Sequence, residues 1–295
     1  MLQTKAAICR SWGTEMIELI AAGTIVGLLF HGIHRKVIAR IQGRPGPPIW
    51  QEIFHTLKFS FKQTWVPKTA SNPLFVFIVA VELAIWTGAI FIVGSGGNLL
   101  MLFAVFMLHK IVEHGLGLSS GSPYGKFAAI RSVMSAASEI PLFATIGGLY
   151  LITGSLSISD IIEWQQVHGS LIIPAFPLAF AMYLVILSKM HYGPFSITKA
   201  KEIVSGVLTE HFGVFRAGLD VAFAMKTFVL IWAFILIFIG ALPWWLMLIA
   251  MLMVLISLSF VCAFTPMLTP YDTVAFQALI SALLVVYLCI FGVIL

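Results

Sequence analysis

Charged residues are scarce in this sequence. Asp, Glu, Lys and Arg make up 10% of its 295 residues, whereas 60% are hydrophobic. Soluble globular domains carry about 25% charged residues, so a soluble fold of ordinary composition is excluded. The alternation typical of a membrane β-barrel is also absent. We therefore expect an all-α polytopic membrane protein, because a helix satisfies its own backbone polar groups inside a bilayer.

Cysteine is equally scarce. Cys9, Cys262 and Cys289 lie far apart and form no Cys-x-x-Cys or Cys/His cluster. This spacing argues against an iron–sulfur cluster, a zinc site or a disulfide framework carried by this chain. Internal repeats of 20 to 50 residues are absent too, and we expect residues 1–295 to form a single membrane domain.

Hydrophobic segments of membrane-spanning length are abundant. A bilayer core requires about 20 apolar residues per helix. We expect eight spans together with amphipathic loop helices, the spans lying at about 17–34, 73–93, 98–113, 127–150, 171–190, 221–240, 243–264 and 273–294.

Basic residues are distributed unevenly between these spans. Of the 17 Lys and Arg residues, 13 fall within 34–72, 109–126 and 189–220, and the segments 94–97, 151–170 and 241–243 have none. The positive-inside rule places the basic segments in the cytoplasm. With an even number of spans, both termini are then expected outside.

The first basic segment begins with an unusual stretch, RIQGRPGPPIWQ from Arg40 to Gln51. Three prolines exclude a helix there, and the glycines permit tight turns. The following residues show helical spacing of apolar side chains, which predicts an amphipathic helix at the membrane surface; these are Ile53, Phe54, Leu57, Phe61 and Trp65. Simple membrane anchoring is one interpretation of this segment, and a docking platform for a soluble partner is the other.

The last basic segment runs from His191 to about Leu219. A Gly-Pro break opens it, and a short polar helix is expected around Lys199 to Val204. Its acidic residues, Glu202, Glu210 and Asp220, fit either a solvated surface or a docking platform.

Ionisable residues also occur inside the expected spans. Glu82 lies in the middle of span two, and Glu139 lies in span four, eight residues after Arg131. A charged side chain at the bilayer centre costs at least about 2.5 to 3.5 kcal/mol, so each is a functional candidate by default. A structural hydrogen bond between helices is the alternative for both carboxylates. Two further candidates for an ion path are Glu113, at the end of span three, and Lys226, in span six. Glu113 lies in a polar group with His109, Lys110 and His114, and snorkelling to the interface also explains that group.

Three of these stretches together resemble one family. RIQGRPGPP, AAIRSVMSAASEIPL and GPFSITKAKEIVSGVLTEHFG are similar, in the same order, to the signature regions of the complex I subunit 1 family. The resemblance covers nearly the whole sequence. It implies a subunit that joins the membrane arm of a complex to its hydrophilic arm.

The resemblance also implies residue roles. Partner docking would involve a set of residues in the two stiff loops: Arg40, Gln42, Arg44, Pro45, Gly46, Pro47, Pro194 and Phe195. Ion translocation would involve Arg131, Glu139, Glu202 and Glu210, joined by the residues singled out above, Glu82, Glu113, Asp220 and Lys226. No catalytic residue, cofactor or metal is implied for this chain.

The sequence departs from the family pattern at Ser196 and Lys199, where acidic residues are common. This departure disfavours quinone binding. The short Arg-Pro-Gly-Pro-Pro form and Lys226 resemble instead the branch found in energy-converting nickel–iron hydrogenases of prokaryotic plasma membranes. That branch implies several partners: hydrogenase large and small subunits, which hold the nickel–iron centre, a ferredoxin-like subunit with 4Fe–4S clusters, antiporter-like membrane subunits and lipid, but no nucleic acid. Alternatives are a quinone-reducing complex, a sulfur-reducing relative and a standalone secondary transporter.

Overall fold

The computed structural model describes residues 2–197 and 206–294, with side chains for 16–71, 73–197 and 206–290. These residues are helical apart from turns and one isolated β-bridge between Asn98 and Ser157. The helices are α1 (Leu2–Ile41), α2 (Gln51–Ser60), α3 (Asn72–Gly94), α4 (Leu99–Ser119), α5 (Pro123–Ser135), α6 (Glu139–Thr153), α7 (Ile158–His168), α8 (Phe176–Lys189), α9 (Val207–Glu210), α10 (Val214–Phe238), α11 (Trp244–Phe264) and α12 (Pro270–Ile294). The expectation of an all-α membrane fold is therefore confirmed.

Seven helical segments within the described residues are long and apolar enough to cross a membrane, and one of them, Pro123–Thr153, consists of α5, a 3₁₀ turn and α6. The expected fifth span is the exception, because α8 has only 14 residues and is about 21 Å long. The preceding residues form turns around Pro174. The inner face of α8 is buried within the bundle, so its length is not set by contact with lipid alone.

Two differences from the expected span boundaries bear on the charged side chains. Helix α4 extends to Ser119, and α5 begins at Pro123, so the expected loop 109–126 is mostly helix. The expected fourth span is broken by a 3₁₀ turn at Ala136–Ser138, immediately before Glu139. The first difference places His109 to Glu113 well inside a helix rather than at its end.

Helix α10 forms the centre of the bundle. It packs against α1, α3, α8 and α11, and nearly all of its residues from Ala222 onward are buried. Its contact with α1 is close, since a Cβ atom on Gly27 would lie 2.2 Å from the carbonyl oxygen of Ala224. Small residues at helix crossings permit such approaches in membrane proteins.

The segment 42–50, here called the docking loop, folds back along the end of α1. The Arg44 amide donates to the Ala39 carbonyl at 2.8 Å, and Gly43 and Gly46 adopt positive φ angles of 72° and 67°. Farther along, the carbonyl of Ile49 touches Gly32 so closely that any Cβ atom there would clash. The loop thus contacts α1 over more than two turns and is a stiff feature of the surface.

The linkers at one end of the bundle contact each other, and we call this the basic end. The Ser71 amide donates to the Ser119 carbonyl at 3.1 Å, and the Leu268 amide donates to the Pro194 carbonyl at 2.9 Å. At the opposite end, Gln165 of α7 donates to the last carbonyls of α10, at Leu236 and Ile237. These contacts hold the linkers in fixed positions relative to the helices.

Candidate functional site: a buried row of charges and a polar cavity

Glu82 lies at the centre of a polar contact between three helices. It is fully buried on α3, where the Trp86 Nε1–H donates to its Oε1 at 3.0 Å. His109 of α4 places its Nδ1 2.7 Å from the same oxygen. Lys226 of α10 lies 3.5 Å from the other ring nitrogen of His109. A carboxylate, an imidazole and an amine therefore follow one another across the bundle.

A second ion pair lies on α4, between Lys110, the residue after His109, and Glu113, one helical turn farther along. The Lys110 amine donates to Glu113 Oε2 and to Ser135 Oγ, both at 2.6 Å. Glu113 is also within electrostatic range of His109 and Lys226. The second pair is therefore coupled to the first group through charge as well as through position.

A third ion pair lies beyond the 3₁₀ turn. Lys189 of α8 donates to Glu139 and, at 2.8 Å, to Ser138 Oγ. The Ser138 hydroxyl in turn donates to the Ser135 carbonyl at 2.8 Å, next to Lys110. Because the 3₁₀ turn interrupts the regular helix, the hydroxyls of Ser135 and Ser138 can connect the second and third pairs.

These seven side chains, which we call the charged row, are all buried; they are Glu82, His109, Lys110, Glu113, Glu139, Lys189 and Lys226. Three carboxylates face three amines, so the row is close to neutral. Burying an unpaired charge would cost several kcal/mol, whereas a balanced row reduces that penalty. A row of groups that gain and lose protons in turn is what proton transfer across a bundle requires.

The sequence identified Glu82, Glu113, Glu139 and Lys226 of this row but not its other three members. Lys189 follows the apolar run of α8, where its charge suggested a cytoplasmic end. His109 and Lys110 belong to the polar group for which snorkelling to the interface and a functional role both stayed open, because span three was expected to end at residue 113. The rule that draws attention to ionisable residues of either sign inside spans would have found all three.

The other expected ion-path residues lie elsewhere. Arg131 is half-buried on α5, and the cation that pairs with Glu139 among the described residues is Lys189, not Arg131. Glu210 is half-buried on α9, and Asp220 pairs with Arg216 at 3.0 Å. Glu202 and the expected helix around Lys199 to Val204 lie outside the described residues.

A cavity of about 260 Å³ lies between α1, α2 and α10. Its lining is polar and contains four histidines, His31, His34, His55 and His191. The ion pairs Arg35–Glu52 and Arg216–Asp220 also line this polar cavity. It differs in this respect from most small-molecule sites, which have largely apolar walls.

Helix α2 directs its polar side chains toward this cavity. Glu52 and His55 line it, while Phe54, Leu57 and the following Phe61 point outward. Phe61 is 88% exposed. The expected amphipathic helix is confirmed, although it ends at Ser60 rather than near Trp65. Its outward apolar face suits an interfacial lipid layer.

Phe223 of α10 separates the polar cavity from the charged row. Its ring centroid lies 5.4 Å from that of His191 on the cavity side. On the other side, Lys226 Nζ lies 4.7 Å from the Phe223 centroid. The next residue, Thr227, bonds His31 at 2.8 Å. One turn of α10 thus faces both polar regions.

The expected docking residues divide into two groups. Arg40, Gln42, Arg44 and Pro45 are exposed, and Gly46 and Pro47 are half-buried beside an open groove of about 500 Å³. Pro194 and Phe195 are buried within this chain, where the Phe195 ring lies 5.2 Å from that of Phe276. Direct docking by Pro194 and Phe195 stays a prediction, and within this chain the Phe195 ring fixes the loop against α12.

His211 lies at the basic end, between α9 and α10. Its ring stacks on Phe75 with centroids 4.3 Å apart, and its Nδ1 bonds the Val207 carbonyl at 2.8 Å. Burial lowers the pKa of His211 to about 4, so the imidazole is neutral at physiological pH. Sequence patterns did not indicate this contact, since a lone histidine in a loop has no periodic signal.

Comparison with known proteins assigns the family. The model of the family described as NADH dehydrogenase matches residues 14–293. A Methanocaldococcus jannaschii protein provisionally named NADH-ubiquinone oxidoreductase is 47% identical, over 90% of this chain and 92% of that protein. An NADH-quinone oxidoreductase subunit from a Geobacillus strain is 30% identical, over 71% of this chain and 67% of the relative.

A solved structure has the same fold. It is a chain of the membrane-bound sulfane sulfur reductase, an archaeal respiratory membrane complex. The two superpose with a TM-score of 0.82 and 27% identity, over 92% of this chain and 97% of the other. This chain therefore belongs to the NADH dehydrogenase family, as a multi-pass membrane subunit of the complex I subunit 1 type in a respiratory complex.

Proposed function

We propose that this subunit anchors a soluble redox arm and moves ions within an energy-converting nickel–iron hydrogenase complex. The supporting observation is the charged row, in which three carboxylates and three amines cross five helices inside the membrane domain. The proposed partners are the hydrogenase large and small subunits, a ferredoxin-like iron–sulfur subunit and antiporter-like membrane subunits. The redox centres would belong to those partners.

The proposed coupling begins at the docking loop. This loop is fixed to α1, and α1 contributes His31, His34 and Arg35 to the polar cavity. A shift of α1 during electron transfer would therefore alter the cavity and the neighbouring turn of α10. Lys226 lies on that turn, so its distance from His109 and Glu82 would change. Protonation of a carboxylate in the row would then release its amine partner toward the next carboxylate.

A sulfur-reducing complex is the second candidate. It is favoured by the structural similarity to a chain of the sulfane sulfur reductase. A quinone-reducing complex is favoured less, because Ser196 and Lys199 stand where the quinone-linked members of the family commonly have acidic residues.

Purification of the intact complex from its native host would distinguish these candidates. The complex would be assayed with reduced ferredoxin for hydrogen evolution, with polysulfide for sulfide production and with a short-chain quinone. We expect hydrogen evolution. Sulfide production without hydrogen would favour the second candidate, and ion transport by the lone subunit would favour a standalone transporter.

The role of the charged row can be tested with Glu139→Gln in the same complex, reconstituted in liposomes. We expect electron transfer to continue while ion translocation falls at least about 100-fold, because proton transfer through a positioned group contributes about that much or more. Glu163→Gln is the matched control, since Glu163 is an exposed carboxylate on α7. Undiminished translocation in the Glu139 variant would contradict the proposal.

A further inference from the structure

Helix α12 has a buried stripe that is unusually polar. Thr273, Gln277, Ser281 and Leu284 follow one another at helical spacing and are all buried. Three of these four residues are polar, although the mean composition of the helix is strongly apolar. The stripe faces the bundle, since α12 packs against α5, the 3₁₀ turn, α6 and α8.

The stripe lies at the level of Glu139. Near the basic end, Phe276 packs on Phe195, six residues beyond Lys189, which pairs with Glu139. Farther along, a Cβ atom on Gly148 of α6 would lie 2.8 Å from Leu288 of α12. The two helices therefore run in the same direction, and Gln277 is level with the 3₁₀ turn and the start of α6.

Several buried polar atoms in this region have no hydrogen-bond partner among the described residues. They are Oε1 and Nε2 of Gln277, Oγ1 of Thr273, Oγ of Ser132 and Oε2 of Glu139. Gln277 is 1% exposed. Each such atom costs about 1 to 3 kcal/mol if it stays unsatisfied, and buried polar groups in proteins are nearly always satisfied. Unsatisfied atoms on three neighbouring elements thus indicate a common bound species.

The chemistry of these atoms selects water over a cation. The Gln277 amide nitrogen can only donate, whereas Glu139 Oε2, when ionised, can only accept. A cation would satisfy the oxygens but not the amide nitrogen, and Lys189 already places a positive charge beside Glu139. Water donates and accepts, and buried waters typically make about three hydrogen bonds.

We propose that α5, the 3₁₀ turn, α6 and α12 enclose a buried water cluster bound by Gln277, Thr273, Ser132 and Glu139. The cluster gives Glu139 a route for proton exchange along α12, separate from the route through His109. Its outer end lies at the exposed Asp272, which precedes Thr273 at the start of α12. This inference rests on the proposed role of Glu139 in ion translocation.

The test uses Gln277→Leu in the intact complex, reconstituted in liposomes. Leucine has a similar volume but cannot bind water, so we expect ion translocation to fall at least about tenfold while electron transfer continues. Gln277→Asn keeps a donor and an acceptor, and we expect it to retain most of the translocation. The matched control is Ser281→Ala, because the Ser281 hydroxyl already donates to its own helix at the Gln277 carbonyl, at 2.7 Å.

A second readout follows the Glu139 carboxyl group by infrared spectroscopy during hydrogen–deuterium exchange. We expect slower exchange in Gln277→Leu and unchanged exchange in Ser281→Ala. If the leucine variant does not assemble, two other observations test the inference. They are the carboxyl exchange rate in Gln277→Asn and the presence of ordered water beside Gln277 in a high-resolution structure of the intact complex. A dry contact between Gln277 and Glu139 in that structure would overturn the inference.

The two proposals fail in different ways. Loss of translocation in Glu139→Gln but not in Gln277→Leu, with unchanged carboxyl exchange, would reject the water route alone. Normal translocation in both variants would reject the role of the charged row as well. Binding of ²²Na⁺ that is lost in Gln277→Leu would replace the water cluster with a cation site and overturn the inference.

Discussion

The charged row and the polar cavity accommodate ionisable side chains within the membrane domain in different ways. Both place ionisable side chains within the membrane domain, and both use the same turn of α10, where Lys226 faces the row and Thr227 faces His31. The row is buried, and its charges are compensated by one another. The cavity is open and several of its side chains are partly exposed, among them Arg35 at 37%, although His31 and His34 are buried. Charge compensation is therefore needed in the row, whereas water can replace it in the cavity.

The largest loss of stability should follow when one cation of the charged row is removed. Lys189→Met leaves Glu139 buried without its amine partner, and breaking a buried pair on one side costs about 3 to 5 kcal/mol. We expect loss of the subunit from the purified complex or a large fall in its melting temperature. The double variant Lys189→Met/Glu139→Gln should recover assembly but not ion translocation. Normal assembly of the single variant would show that the row is hydrated like the cavity.

A smaller loss of stability is expected at low pH around His211. Its pKa is lowered to about 4 in the folded subunit, below the ordinary value of 6.5. The unfolded segment therefore binds more protons, and the stabilisation from burying neutral His211 is fully present above pH 6.5 and is lost as the pH falls toward 4. We expect lower protection factors in residues 206–217 at pH 5 than at pH 7.5, once the measured hydrogen–deuterium exchange rates are divided into the intrinsic rates at each pH.

The matched variant for this effect is His211→Phe, which retains stacking on Phe75 but does not titrate. Its protection factors in residues 206–217 should depend less on pH than those of the natural protein. An equal pH dependence in both proteins would assign the effect to other groups.

The smallest effect is expected in the polar cavity. Asp220→Asn removes one charge of the Arg216–Asp220 pair, whose side chains are 19% and 14% exposed and border the cavity. Pairs that water can reach contribute about 1 kcal/mol or less. We expect a melting temperature within a few degrees of the natural complex. A loss as large as that of Lys189→Met would erase the distinction between the two regions.

The sequence predicted the apolar architecture well, because membrane-length segments carry a strong and local signal. It also predicted the stiff turn after α1, since proline and glycine act through the backbone of a few residues. It did not predict which cation meets Glu139. Helical spacing pointed to Arg131, eight residues before Glu139, whereas Lys189 lies 50 residues away along the chain. Its pairing with Glu139 depends on how α8 packs against the 3₁₀ turn. The polar stripe of α12 was equally hidden within an apolar helix.

The spacing of the charged row along the chain has a consequence for synthesis. The docking loop contacts α1 within the first 50 residues, so this surface can form while most of the protein is still unmade. The buried charges cannot be compensated so early. A further 50 residues must be synthesised after Glu139 before Lys189 is present, and 117 residues after His109 before Lys226 is present. We therefore expect α3, α4 and α6 to be inserted with their carboxylic acids protonated, or to be held beside the translocon until α8 and α10 emerge.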